Sequence, residues 1–146
     1  MRGIQLVVFD MAGTTVRDKG NVGEAFIEAF KEYGIEIPFK EVKKVMGWRK
    51  IDAVKMLLQK FYNTADEALI EKIHERFIHN MITHYEQDST LSPLPFVEET
   101  FADLKQRGVK IALNTGFPRS IADTILRKLN WEEGKTIDAV IASDEV

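Results

Sequence analysis

Cysteine is absent from this chain, proline occurs only four times, and neither sign of charge gathers into a block. Without cysteine there is no disulfide framework and no thiolate metal site, and the expected setting is cytoplasmic. No run of about 18 apolar residues exists to span a bilayer, and the N-terminus has no apolar segment of the signal-peptide kind, so no membrane partner is expected. The 20 basic and 23 acidic residues are interspersed and leave a net charge of −3, which offers nucleic acid no footprint. There is no internal repeat and no low-complexity stretch. What remains is 146 residues, 45% hydrophobic and 29% charged, the balance and size of one globular domain.

The informative stretch is GIQLVVFDMAGTTV, Gly3 to Val16. Ile4 and Leu6 to Phe9 form a short apolar run that reads as a buried parallel strand. It delivers Asp10 to the carboxyl end of that strand, where open α/β sheets do their chemistry. Beyond it, Ala12, Gly13, Thr14 and Thr15 combine backbone N–H groups and hydroxyls with little bulk, the composition of a loop that wraps phosphate. A buried Asp that merely caps a turn is the bland alternative.

The pattern then changes period. After a polar turn over 17–21, Val22, Ala25, Phe26, Ala29, Phe30 and Tyr33 recur at helical spacing up to Gly34. Val42, Val45 and Met46 suggest a short second helix closed by Gly47, and Ile51, Val54, Leu57, Leu58 and Phe61 a third. Thr64 with Glu67 three residues on has the form of a capping box. It opens a long fourth helix through Tyr85. His74, His79 and His84 lie five apart on it, the wrong spacing for a helical metal pair, and are expected in solvent. The alternation of strand and helix resumes after Pro93 and Pro95. A helix carries Val97, Phe101 and Leu104, and a strand VKIAL, Val109 to Leu113, runs into Asn114, Thr115 and Gly116. A helix follows Pro118, and Ile137, Val140 and Ile141 make a last strand. The fold class is therefore α/β: a Rossmann-like parallel-sheet core, residues 1–15 and about 90–146, with a helical cap, residues 16–89, inserted after the first strand.

The first stretch also resembles the opening signature of the haloacid dehalogenase superfamily, and its variant FDMAGTTV is similar to the phosphonatase branch. Three further features carry the resemblance. Thr115 in LNTG stands where the superfamily has its second signature, although the same residue could be a helix N-cap. Met46-Gly47-Trp48-Arg49-Lys50-Ile51-Asp52 resembles the branch's cap motif M-G-x-x-K-I-D. Ala12 replaces the second Asp that most phosphatases of the superfamily use as acid and base. The resemblance implies that Asp10 is a nucleophile phosphorylated on its carboxylate, that Thr115 bonds the transferring phosphoryl group, and that Lys50 forms a Schiff base with a substrate aldehyde. It implies phosphate or substrate contacts for Ala12, Gly13, Thr14, Gly116 and Met46, and Mg²⁺ on Asp10 and the Ala12 carbonyl oxygen. A protonated imine one carbon away accepts the electrons released when carbon leaves phosphorus, so no acid beside the nucleophile is required in that step. Arg119 is an equal candidate for phosphate contact or for solvent.

Where the branch has a His three residues after its Lys and a Tyr two residues after its Thr, this chain has Ala53 and Phe117. The superfamily's third signature, a Lys or Arg, and the acidic pair completing its Mg²⁺ site find no match before Val146. Asp144 and Glu145 precede the third signature and are not assigned to metal. The expectation is a hydrolase of a small aldehyde phosphonate, a phosphonatase-like enzyme using Mg²⁺, with a homodimer as the assembly to test and little turnover from these 146 residues alone. A phosphomonoester hydrolase, with Lys50 as a simple cation, and a catalytically dead binding domain are the competing expectations.

Overall fold

The structure is a computed structural model and describes residues 3–146; Met1 and Arg2, which the expected core boundary includes, lie outside the described residues. The elements run β1 (Leu6–Asp10), α1 (Asn21–Lys31), α2 (Phe39–Lys44), α3 (Lys50–Tyr62), α4 (Glu67–Gln87), α5 (Val97–Gln106), β2 (Lys110–Asn114), α6 (Arg119–Leu129) and β3 (Ala139–Ile141). The three strands form one parallel sheet in the order β1-β2-β3. Five helices in succession, α1 to α5, lie between β1 and β2, as the periodicity predicts.

The register positions the chemistry. Asp10 pairs with Asn114, which pairs with Ile141, so all three strands end at one edge and the loops beginning at Met11, Thr115 and Ala142 emerge side by side. Val7 and Phe9 share a sheet face with Ile111, Leu113 and Val140, and α5 packs there through Phe101, whose ring centroid lies 5.5 Å from that of Phe9. The opposite face is open. Leu6 and Val8 are 52% and 53% exposed, and Ile141 is 46% exposed. The expectation of a buried first strand is thereby corrected, because among the described residues β1 has a neighbour on one edge only and no element packs over its outward face.

One hydrophobic cluster runs through helices and sheet together. Phe26 of α1 meets Phe77 of α4 edge-on at 5.2 Å, and Phe77 approaches Phe117, in the loop before α6, at 6.4 Å. Buried Glu41 joins α2 to α3 through two exposed lysines, lying 2.8 Å from Lys44 and 2.6 Å from Lys60. The hydrogen bonds from these lysines hold the Glu41 carboxyl down at about 2.

Local signals are corrected at two places. Asp66, not Thr64, caps α4, its carboxylate accepting the N–H groups of Ala68 and Leu69. Thr64 instead accepts the N–H of Asp66, one step upstream. His74 and His84 are half-buried rather than solvated. Burial, with Arg49 nearby, lowers the His74 pKa.

Candidate active site

Asp10 ends β1 and its side chain faces a small cavity of about 120 Å³ between the strand ends and the segment joining α2 to α3. Ala12, Thr115 and Gly116 line it from the sheet side, and Met46, Gly47 and Lys50 from the helical side. Val22, Phe117 and Asp18 complete the wall. A wider cleft of about 510 Å³ adjoins it, sharing Asp10, Gly47, Thr115 and Gly116 and adding Arg49, Asn114 and Ser143. Most of the residues predicted as a site are thus brought together from three distant parts of the chain.

Lys50 is the unusual group. It opens α3 and is only 2% exposed, yet among the described residues its amine meets no carboxylate within ion-pair distance. Its Nζ donates to the carbonyl of Met46 and, at 2.9 Å, to that of Trp48, and it lies 5.6 Å from the centre of the Phe117 ring. Burial lowers its pKa from 10.5 to about 8, against the opposing pull of Asp10 and Asp18. A neutral amine has two N–H groups, and two carbonyls are there to take them. Its lone pair is left unused, the arrangement that a nucleophilic amine requires.

Gly116 makes this contact between layers possible. A Cβ there would stand 2.7 Å from the Trp48 carbonyl oxygen and 3.3 Å from its carbon, so only glycine lets the 47–48 backbone rest on the 115–116 turn. Thr115 accepts the N–H of Phe117 through its hydroxyl at 3.1 Å, a local turn that also fixes the hydroxyl at the cavity wall.

The loop after Asp10 differs from expectation. The N–H groups of Thr14, Thr15 and Val16 all donate to the Met11 carbonyl, and that of Gly13 to Val16 at 2.8 Å. These amides are spent on a tight turn that needs Gly13 at φ +81. Gly13 and Thr14 therefore do not reach the Asp10 cavity; Thr14 lies by a separate groove with Phe9 and Pro95. Among the described residues, no carbonyl takes the N–H of Ala12 or of Gly116, and both residues line the cavity. Thr15, by contrast, is buried and donates its hydroxyl to the Asp10 carbonyl at 2.8 Å, pinning the strand end.

Arg119 is also corrected as a phosphate contact. Its guanidinium is taken by Asp123 at 2.8 Å, Glu133 at 2.7 Å and Glu145 at 3.4 Å, and it lies outside the Asp10 cavity. Glu133 and Glu145 in turn accept the N–H groups of Val140 and Ala142, so this cluster braces the end of β3. Asp18 and Arg49 do not stand out in the sequence. Both lie in polar surroundings that read as turn and helix start, and only their closeness to the named motifs could have flagged them.

Asp10 and the Ala12 carbonyl offer two oxygens where Mg²⁺ takes six, several of them from water. Among the described residues, no three His, Asp or Glu side chains converge as a metal site. That donor set does not by itself fit Mg²⁺. Among the described residues, no helix is long and apolar enough to cross a membrane.

A sheet ending in a carboxylate beneath a helical layer defines a class, and comparison with known proteins agrees. Residues 4–146 match the haloacid dehalogenase-like hydrolase family, and the chain belongs to it. Within that family it is 32% identical over 158 residues to the phosphonoacetaldehyde hydrolase of Bacillus cereus strain AH187, an alignment covering 98% of this chain and 57% of that protein. It is 30% identical over 155 residues to that of Pseudomonas fluorescens strain Pf0-1, covering 98% and 55%. The chain therefore spans a little over half the length of the curated relatives it matches. Among solved structures, a phosphonoacetaldehyde hydrolase like protein from Oleispira antarctica superposes with a TM-score of 0.79 at 25% identity, covering 98% of this chain and 54% of that one. A hydrolase from Pseudomonas syringae superposes with a TM-score of 0.85 at 19% identity, covering 99% and 63%, which speaks for the fold.

Proposed function

We propose that the natural polypeptide containing this chain hydrolyses the carbon–phosphorus bond of a small aldehyde phosphonate. The observation that carries the proposal is the burial of Lys50, with its lowered pKa, in the same 120 Å³ cavity as Asp10. The names of the curated relatives support the substrate class. In this reading residues 16–89 act as the cap and the remainder as the core.

Lys50 condenses with the aldehyde to an iminium and releases water. An Asp10 carboxylate oxygen attacks phosphorus, and the carbon–phosphorus pair flows into the iminium to leave an enamine on Lys50. The Ala12 and Gly116 amides and the Thr115 hydroxyl hold the phosphonate oxygens, replacing water around a charge that the carboxylate would otherwise repel. Water then cleaves the aspartyl-phosphate to inorganic phosphate. The enamine takes a proton on carbon, and hydrolysis of the imine returns the amine and the shortened aldehyde.

The test is borohydride added during incubation with 2-oxoethylphosphonate, followed by peptide mapping. The expected adduct is on Lys50. Lys50→Arg, which keeps the charge but cannot form an imine, is expected to abolish both adduct and carbon–phosphorus cleavage. Absence of the adduct while an authentic phosphonoacetaldehyde hydrolase is labelled would refute the proposal. Retained phosphate-ester hydrolysis by Lys50→Arg would establish the phosphomonoesterase reading instead.

A further inference from the structure

Imine formation moves a proton as well as a bond, and the cavity wall holds few groups able to carry one. Asp10 is committed to phosphorus, and Ala12 has no acid. The Thr115 hydroxyl already accepts from Phe117, and Val22, Met46 and Phe117 are inert to proton transfer. Asp18 remains. It lies in the turn between β1 and α1, lines the same 120 Å³ cavity as Lys50, and is held by the Gly20 N–H, which donates to its Oδ1 at 2.9 Å. Among the described residues, nothing bonds its Oδ2. The groups around it are Lys50 from α3, Lys19 beside it, whose amine turns away to Thr90, and Tyr85 from α4. Burial raises the Tyr85 pKa well above its usual value, so its phenol stays protonated and is no base at working pH.

We infer that Asp18 is the catalytic acid–base group that carries the proton between the Lys50 amine and the substrate carbonyl oxygen. The inference rests on the Lys50 reading above. Asp18 lies beyond ion-pair distance of the amine but on the same cavity, so one water relays a proton from the Lys50 ammonium to its carboxylate, and the freed lone pair forms the nitrogen–carbon bond while the carbonyl electrons go to oxygen. The new nitrogen–hydrogen proton passes to that oxygen to give the carbinolamine. Asp18 then returns its proton to the hydroxyl, the carbon–oxygen bond breaks, and water and the iminium result. Ammonium and aldehyde thus become iminium and water with no net gain or loss of protons. Asp18 supplies here the carboxyl group that Ala12 lacks, from another position on the cavity wall.

The decisive measurement is the rate of the borohydride-trapped adduct on Lys50 of the 146-residue chain with 2-oxoethylphosphonate as probe, which needs no phosphoryl transfer. The wild-type chain is expected to form the adduct. Asp18→Asn, which keeps an acceptor for the Gly20 N–H and so the turn, is expected to form the same adduct about 10²-fold or more slowly, the usual range for a lost acid–base group, with an unchanged thermal midpoint. Formate added to Asp18→Asn is expected to restore part of the rate, which a purely structural role would not allow. Equal adduct rates in wild type and Asp18→Asn, or a slow variant that formate fails to rescue, would overturn the role of Asp18 alone. No adduct in the wild type would overturn the Lys50 reading itself.

Discussion

Replacing Lys50 by methionine should remove a cost of burial that the wild type carries near neutral pH and that shrinks as pH rises. Lys50 is 2% exposed, and burial lowers its pKa from 10.5 to about 8. The folded pKa lies below the unfolded one, so between these values the unfolded chain holds a proton that the folded chain does not, and wild-type stability rises with pH. Below about 8 the full cost of burying the charge is present. At about 1.36 kcal/mol for each pH unit crossed between the two values, the wild type should gain about 2 kcal/mol between about pH 7 and about pH 9.5 from this group. The methionine variant has no such group. It does strand the Met46 and Trp48 carbonyls that Lys50 satisfies, at about 1–3 kcal/mol each, but that cost is independent of pH. Urea titrations of both proteins at the two pH values isolate the burial contribution as the change in their difference, because other titrating groups cancel. A wild-type-minus-variant difference that stays constant with pH would refute the account of Lys50 as a destabilised, proton-shedding amine.

Gly116→Ala should cost about 1–3 kcal/mol, because its Cβ at 2.7 Å from the Trp48 oxygen forces backbone rather than a side-chain tip to yield. It should also slow borohydride labelling of Lys50; an unchanged thermal midpoint and labelling rate would show that the 47–48 segment is not held by this contact. Glu41→Gln should remove a stabilisation that the wild type holds above about pH 4.5 and loses as pH falls toward about 2, since the carboxyl is depressed by Lys44 and Lys60. Acid unfolding curves of the two proteins that stay parallel through that window would contradict it.

Periodicity and turn chemistry were enough to place six helices and three strands, because each amphipathic face repeats at the spacing of its own element and glycines mark several of the ends. The motif residues were equally legible where chemistry depends on side-chain type: Asp10 at a strand end, Lys50 at a helix start, Thr115 after β2. Long-range geometry decided the rest. Whether Gly13 and Thr14 present their amides to a ligand depends on which carbonyls those amides find, and the 11–16 turn takes them for itself. Arg119 has the same charge on a phosphate as in a cluster of carboxylates; Asp123 is its neighbour on α6, but only the return of β3 beside α6 brings Glu133 and Glu145 to it as well. Asp18 reads as a turn residue until α3 folds over it and sets Lys50 in the same cavity. Residue type and local spacing are properties of a short segment and can be read there. Burial, the depressed pKa of Lys50 and the filling of hydrogen-bonding capacity arise from segments far apart in the chain, and they exist only once those segments pack.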